Sequence, residues 1–148
     1  MQTLSSDRWQ ALLLLVLISS LAHAAKGAEP PVLTASSPYD YDTTVTRVER
    51  ALKGHNLDVL RDLEVAGKQG RHRHIFFCDF EQLPEAVTTD KRIGCILPCK
   101  VTVSDTGDGV RLSAMNPEAA RQAAGIGLKS LCIELRNTLI SVMQEATL

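Results

Sequence analysis

In the stretch "RHRHIFFCDF", Arg71–Phe80, side chains alternate in a way that only an extended chain can use. A β-strand sends successive side chains to opposite faces. With that period, His72, His74, Phe76, Cys78 and Phe80 share one face, and Ile75, Phe77 and Asp79 share the other. Downstream, "RIGCILPCKVTVSD", Arg92–Asp105, reads as a second strand with Cys95, Leu97, Cys99, Val101 and Val103 on one face. Pro98 has no N–H to donate to a ladder, so it marks an edge or a bulge there. "TGDG", Thr106–Gly109, makes a hairpin turn into "VRLSAM", Val110–Met115, where Val110, Leu112 and Ala114 alternate. Upstream, "LDVLRDLEVAG", Leu57–Gly67, puts Leu57, Val59, Leu63 and Val65 on one face, with Arg61 as the exception.

The remaining segments carry helical spacing. "YDYDTTVTRVERALKGHN", Tyr39–Asn56, reads as a short strand and then a helix, with Asp42 or Thr43 as cap and Gly54 as stop. Val45, Val48 and Leu52 fall on one helical face. "EQLPEAVTTDK", Glu81–Lys91, reads as a loop or one irregular helical turn, because Pro84 fits only near a helix start. The last element is a long helix with Asn116 as N-cap and Pro117 in its first turn. Leu128, Leu131, Leu135, Leu139 and Val142 form its apolar stripe, with Cys132 beside it. Gly125 and Gly127 each cost about 1 kcal/mol in a helix, which predicts a kink or a close backbone approach there. The order β-α-β-β-(loop)-β-β-α is α+β: one antiparallel sheet with two helices on one face.

The chain has 148 residues, enough for a single domain. A net charge of −1 sets nucleic acid aside as a partner, since polyanion binders are usually basic. At the N-terminus, "ALLLLVLISSLA", Ala11–Ala22, followed by "AHA", Ala22–Ala24, has the apolar core and small-x-small cut site of a secretory signal peptide. The run is too short to span a bilayer, so no transmembrane span is expected after cleavage. The expected organisation is a signal peptide over 1–24, a flexible Ala/Pro/Ser-rich linker over 25–38 and one domain over 39–148, exported to the periplasm.

Export gives the four cysteines their meaning. Cys78, Cys95, Cys99 and Cys132 all fall in the mature part, and an even number in an oxidising compartment suggests disulfides. On an extended strand Cys95 and Cys99 would be about 13 Å apart, beyond the roughly 7 Å that a disulfide spans. Cys78 is better placed to pair with Cys95 or Cys99, because its strand can lie beside the one carrying both, and Cys132 can reach the sheet from the last helix.

Three chemistries compete for these thiols. One is a disulfide, or simple burial as small hydrophobes. The second is a soft-metal site of Cys78 and Cys99 joined by His74 or Met115, a ligand set suited to copper(I). His74 and Cys78 lie about 13 Å apart along one strand, so a bulge or another segment would have to bring them together. The third is a thiol-redox or sulfur-transfer enzyme using an exposed cysteine of depressed pKa. Lys100 adjoins Cys99 in sequence but points to the opposite face. No zinc-type spacing of Cys and His occurs, and "GIG", Gly125–Gly127, lies within a helix pattern and not after a strand. "RHRH", Arg71–His74, could attract an anion or a lipid headgroup, and reads otherwise as a solvated strand end.

Three segments together, "YDYDTTVTRVERALKGHNLDVL", Tyr39–Leu60, "IGCILPCKVTV", Ile93–Val103, and "GVRLSAMNPEA", Gly109–Ala119, resemble the prokaryotic domain-of-unknown-function 302 family. The resemblance runs from about Tyr39 to Ala124. It implies a TATA-binding-protein-like α+β fold, one antiparallel sheet carrying two helices, in which a homodimer is feasible. It implies no activity. The family's recurrent cysteines match Cys99 and Cys78. Where the family has Cys-Asn-Pro and a fuller helix, this chain has Cys78-Asp79-Phe80 and a short segment around Pro84. The reading is therefore a small exported binding or accessory module for an unknown small ligand or partner protein. Its Cys78 and Cys99 form a disulfide or part of a copper-like site, and the enzyme is the alternative.

Overall fold

The computed structural model describes residues 29–67 and 70–148; the expected signal peptide lies outside the described residues. Five strands form one sheet: β1 (Val32–Ser37), β2 (Asp58–Gly67), β3 (Gly70–Cys78), β4 (Cys99–Asp105) and β5 (Val110–Met115). Four α-helices accompany it among the described residues: α1 (Tyr41–Gly54), α2 (Leu83–Thr89), α3 (Pro117–Ala124) and α4 (Lys129–Thr147). The sheet order is β1-β5-β4-β3-β2, and each neighbouring pair is antiparallel. The α+β class holds. The helix count departs from the expected two, because α2 and α3 are separate short helices.

One face of the sheet is roofed and the other is bare. Ile75 pairs with Val101, Val101 with Ala114, and Ala114 with Leu33, so these side chains share the roofed face. In the next row Val103 pairs with Leu112, and Leu112 with Ala35. Ile75, Val101, Val103 and Leu112 are fully buried beneath Val48, Leu52, Leu139 and Val142 of α1 and α4. Each such side chain contributes about 1.5–3 kcal/mol on leaving water. Arg47 ties the two helices together by donating to the carbonyls of Ala146 and Glu145, each at 3.0 Å.

Several boundaries differ from the sequence expectation, each for a local reason. The expected linker contains β1, whose Leu33 and Ala35 alternate inward against β5, so folded structure begins before Tyr39. Helix α1 is capped by Asp40, whose carboxylate accepts from Thr43 N at 2.8 Å, two residues ahead of the expected Asp42. It ends with Asn56 in the left-handed region at φ 57°. A bulge between Val59 and Arg61 puts Val59 opposite Phe77 on the roofed side, so Val59 parts from Leu63 and Val65.

The expected strand from Arg92 begins only at Cys99, because Lys91–Cys95 is a 3-10 helix capped by Asp90. The expected long terminal helix is two helices. Gly125 at φ 64° closes α3 in the left-handed region, and α4 restarts at Lys129. Gly70 meets a different constraint: a Cβ there would lie 1.9 Å from the Asp105 carbonyl oxygen.

Glu118 anchors α3 to this turn. Its buried carboxylate accepts from Arg121 at 2.6 and 2.7 Å, while Arg121 also donates to the Ile126 carbonyl. The Arg121 guanidinium lowers the Glu118 pKa from its ordinary 4.5 to about 2. A carboxylate with a depressed folded pKa stabilises fully above its unfolded value and loses that contribution as pH falls. Glu118→Gln is thus expected to be less stable than wild type at pH 7, with the deficit shrinking between about pH 4.5 and 2. Denaturant unfolding across that range checks it; a deficit independent of pH refutes the ion pair.

Candidate functional site

A cleft of about 730 Å³ opens where β3 ends and β4 begins. The end of α1, the Asp79–Gln82 turn, α2 and the first half of α4 surround it. Its lining is mixed: Leu57, Ile93, Ile96, Leu97, Leu131 and Leu135 supply the apolar part, and Asn56, Gln82 and Thr138 are among its polar residues. Ile93, Ile96 and Cys132 also belong to a second small core with Ala86 and Ile126, which seats α2 against α4. The rim is charged: Lys53 and His55 from α1, and Asp58, Glu81 and Glu134 around it. The Asp79 carboxylate accepts from the N–H groups of Glu81 and Gln82 at 2.9 and 3.2 Å, which shapes the turn that leads into α2.

Three thiols line this cleft: Cys78, Cys99 and Cys132. Cys99 points to the roofed face because its register partner is Phe77, the largest fully buried side chain. Strand alternation alone would send Cys78 to the bare face. It sits at the last residue of β3, however, where the strand meets the cleft, and is 4% exposed. Its thiol donates to the Asp79 carbonyl at 3.8 Å. Cys132 comes from the first turn of α4 and is 1% exposed. The fourth thiol, Cys95, is exposed on the 3-10 helix and does not share a strand with Cys99.

Burial dominates the chemistry of the three. It pushes the Cys99 thiol up to about 12, and the neighbouring Cys78 and Cys132 add to the rise. Burial likewise raises Cys78, partly offset by the hydrogen bond at Asp79, and raises Cys132, helped by Glu118. All three are therefore neutral thiols near pH 7, poor nucleophiles by comparison with the thiolates that redox and sulfur-transfer enzymes use.

The other two residues of the expected metal set stand elsewhere. His74 lies on the bare face with its Nδ1 3.0 Å from Thr102 Oγ1, and Met115 is exposed at the end of β5 on that same face. Strand alternation therefore puts the sheet between these two and Cys99. Among the described residues all four cysteines are free, and no group of three or more His, Cys, Asp or Glu is placed to hold a metal ion. The sequence reading named the thiols but missed the cleft. Its only trace was the mixture of Leu and Ile around Cys95 and Leu131, which looked like ordinary core.

The family model described as "Domain of unknown function DUF302" matches residues 33–146. The chain belongs to this family. The DUF302 match begins within β1, in line with a domain that starts before Tyr39. Among solved structures, the chain is similar to the crystal structure of an uncharacterized conserved DUF302 protein from Bacillus stearothermophilus. The TM-score is 0.73 at 16% identity, covering 80% of this chain and 99% of that one, which shows a shared fold. Comparison with curated proteins finds no match. The segment after Cys78, expected as a loop or one irregular turn, is the seven-residue α2, which contributes Leu83 and Ala86 to one wall of the cleft.

Exposure predicts an order of reactivity. Under native conditions a maleimide is expected to label Cys95 at once, and Cys78, Cys99 and Cys132 only after denaturation. Peptide mass mapping reads the result; rapid native labelling of Cys99 would contradict the buried floor.

Proposed function

We propose that this DUF302 domain is a small-ligand binding or accessory module, exported to the periplasm, whose site is the cleft at the end of β3. The cleft itself carries the reading. Its volume of about 730 Å³ falls within the roughly 300–1,000 Å³ of small-molecule sites. A lining that mixes apolar and polar side chains, with charged groups at the mouth, suits a ligand that is itself part apolar and part polar. Neutral, buried thiols favour binding over thiolate catalysis. Cys78 and Cys99 supply the thiol part of the floor, as free thiols or, where the compartment oxidises them, as a disulfide. Export itself requires that protein recovered from the periplasm begin near Ala25; an intact chain confined to the cytoplasm overturns it.

The neutral fluorophore N-phenyl-1-naphthylamine serves as probe. Saturable binding at one site per chain is expected, and Thr138→Trp, which fills the cleft from α4, should weaken it at least tenfold while leaving the unfolding midpoint nearly unchanged. Equal binding by both proteins would remove the cleft as the site.

Cys78 and Cys99, which line the same cleft, support a second reading, two-thiolate coordination of a soft monovalent metal such as copper(I). Metal thiolates form by loss of the thiol protons, and both thiols are protonated near pH 7, so affinity should rise with pH. Competition against a chromogenic copper(I) chelator should show Cys99→Ser weaker than wild type and wild type tighter at pH 8 than at pH 6. Identical competition by the two proteins excludes this reading.

A further inference from the structure

The bare face of the sheet is a continuous surface on the far side from α1 and α4, and its composition is unlike the rest of the chain. Its side chains run in cross-strand rows. One is Val65, His72, Ser104, Arg111 and Ser36; the next is Leu63, His74, Thr102, Ser113 and Thr34. Arg61, Phe76 and Lys100 make a third, and Met115 pairs with Val32 at the corner. None of the residues in these rows is Asp or Glu, in a chain that carries 17 of them.

The contrast is sharpest on β2 and β3. Two of their three acids, Asp62 and Glu64, lie on the roofed side, where they pair with Arg73 and Arg71; the third, Asp58, opens β2 opposite Cys78 at the rim of the cleft. The cations of the bare face have no such partners: Arg61, Lys100 and Arg111 are exposed and make no ion pair among the described residues. His72 and His74 are held across the sheet by Ser104 Oγ at 2.9 Å and Thr102 Oγ1 at 3.0 Å, each through Nδ1. Large aliphatic side chains flank the cations at both edges. Leu63 and Val65 are 42% and 44% exposed on β2, and Val32 and Met115 are 49% and 44% exposed at the other edge.

We propose that this face docks on an anionic phospholipid surface. Fixed cations attract headgroup phosphates, and flanking aliphatic side chains enter the boundary between headgroups and acyl chains. The same composition disfavours two other occupants. A second copy would bring unpaired cations against identical unpaired cations. Single-stranded nucleic acid needs a series of aromatic stacking platforms, whereas Phe76 is the one Phe, Tyr or Trp in these rows, and Lys100 Nζ already lies 5.9 Å from its ring centroid.

The test is co-sedimentation of the full chain with vesicles of phosphatidylcholine alone or of equimolar phosphatidylcholine and phosphatidylglycerol. The expected result is tighter partition onto the phosphatidylglycerol vesicles, lost at high salt. Lys100→Gln/Arg111→Gln should weaken that partition by about fivefold per cation, or about thirtyfold for the pair. Lys91→Gln/Lys129→Gln, which removes the same charge from exposed positions on the 3-10 helix and α4, should keep it. The apolar N-terminal segment is common to all three proteins, so whatever it contributes to partition cancels between them. Equal partition onto both vesicle types overturns the proposal, and so does an equal loss in both double variants. So too does tighter binding to an oligothymidylate than to the vesicles, or a dimer that Lys100→Gln/Arg111→Gln dissociates.

Discussion

The pairing of β3 with β4, Ile75 opposite Val101 and Phe77 opposite Cys99, determines which side chains the helices roof and which remain in contact with water. A slip of one residue would turn one strand over against the other, sending either His74 or Lys100 under α1 and α4 and exposing Ile75 or Val101. Burying an unpaired cation costs far more than burying Ile gains, so that alternative is closed to the chain. The close approach at Gly70 reinforces the register, since only a residue without Cβ leaves room for the Asp105 carbonyl.

That register also determines the chemistry of the cleft. Phe77 draws Cys99 inward, and the strand ends one residue later, so Cys78 is buried although alternation would face it outward. Helix α4 then contributes Cys132 from the second core. Cys78 and Cys132 reinforce the neutrality of Cys99, because a thiolate at either position penalises charge there. A cysteine suited to nucleophilic work needs the reverse, a cation or helix N-terminus that outweighs burial; Cys132 has the first turn of α4 and Arg121 near it, yet burial still raises its pKa. Lys100 is the nearest cation to Cys99 in sequence, and the pleat puts it on the other side of the sheet.

What was legible in the sequence follows from the same physics. Strands β4 and β5 and the buried face of α1 were readable because Val101, Val103, Val110, Leu112, Val48 and Leu52 keep strict periods. β1 was missed because Leu33 and Ala35 are a short apolar alternation among Pro, Ser and Thr, and its partner β5 lies some eighty residues away in sequence. The 3-10 helix at Lys91–Cys95 was missed because a capping Asp90 leaves no periodic trace, and Cys95 and Ile93 are compatible with strand spacing. The bulge at Leu60 was signalled by Arg61, the residue that broke the expected face, although that signal fixes neither its place nor its direction. The thiols were legible as a set, but the cleft around them arises from segments that meet only in three dimensions.

Net charge concealed the molecule's most asymmetric feature. A total of −1 describes a nearly neutral chain, yet Asp62 and Glu64 of β2 are turned to the roofed side, while Arg61, Lys100 and Arg111 of β2, β4 and β5 remain on the bare one. Pairing is what keeps the roofed side neutral: Asp62 and Glu64 are matched by Arg71 and Arg73, so their fields close over short distances. The unmatched cations have no such return path, and their potential extends outward over about a Debye length. The cleft opens at the end of the sheet, with walls built from the α1, α2 and α4 side, so a molecule held there leaves the bare face uncovered. Two surfaces of different character can thus serve one small domain without competing for the same residues.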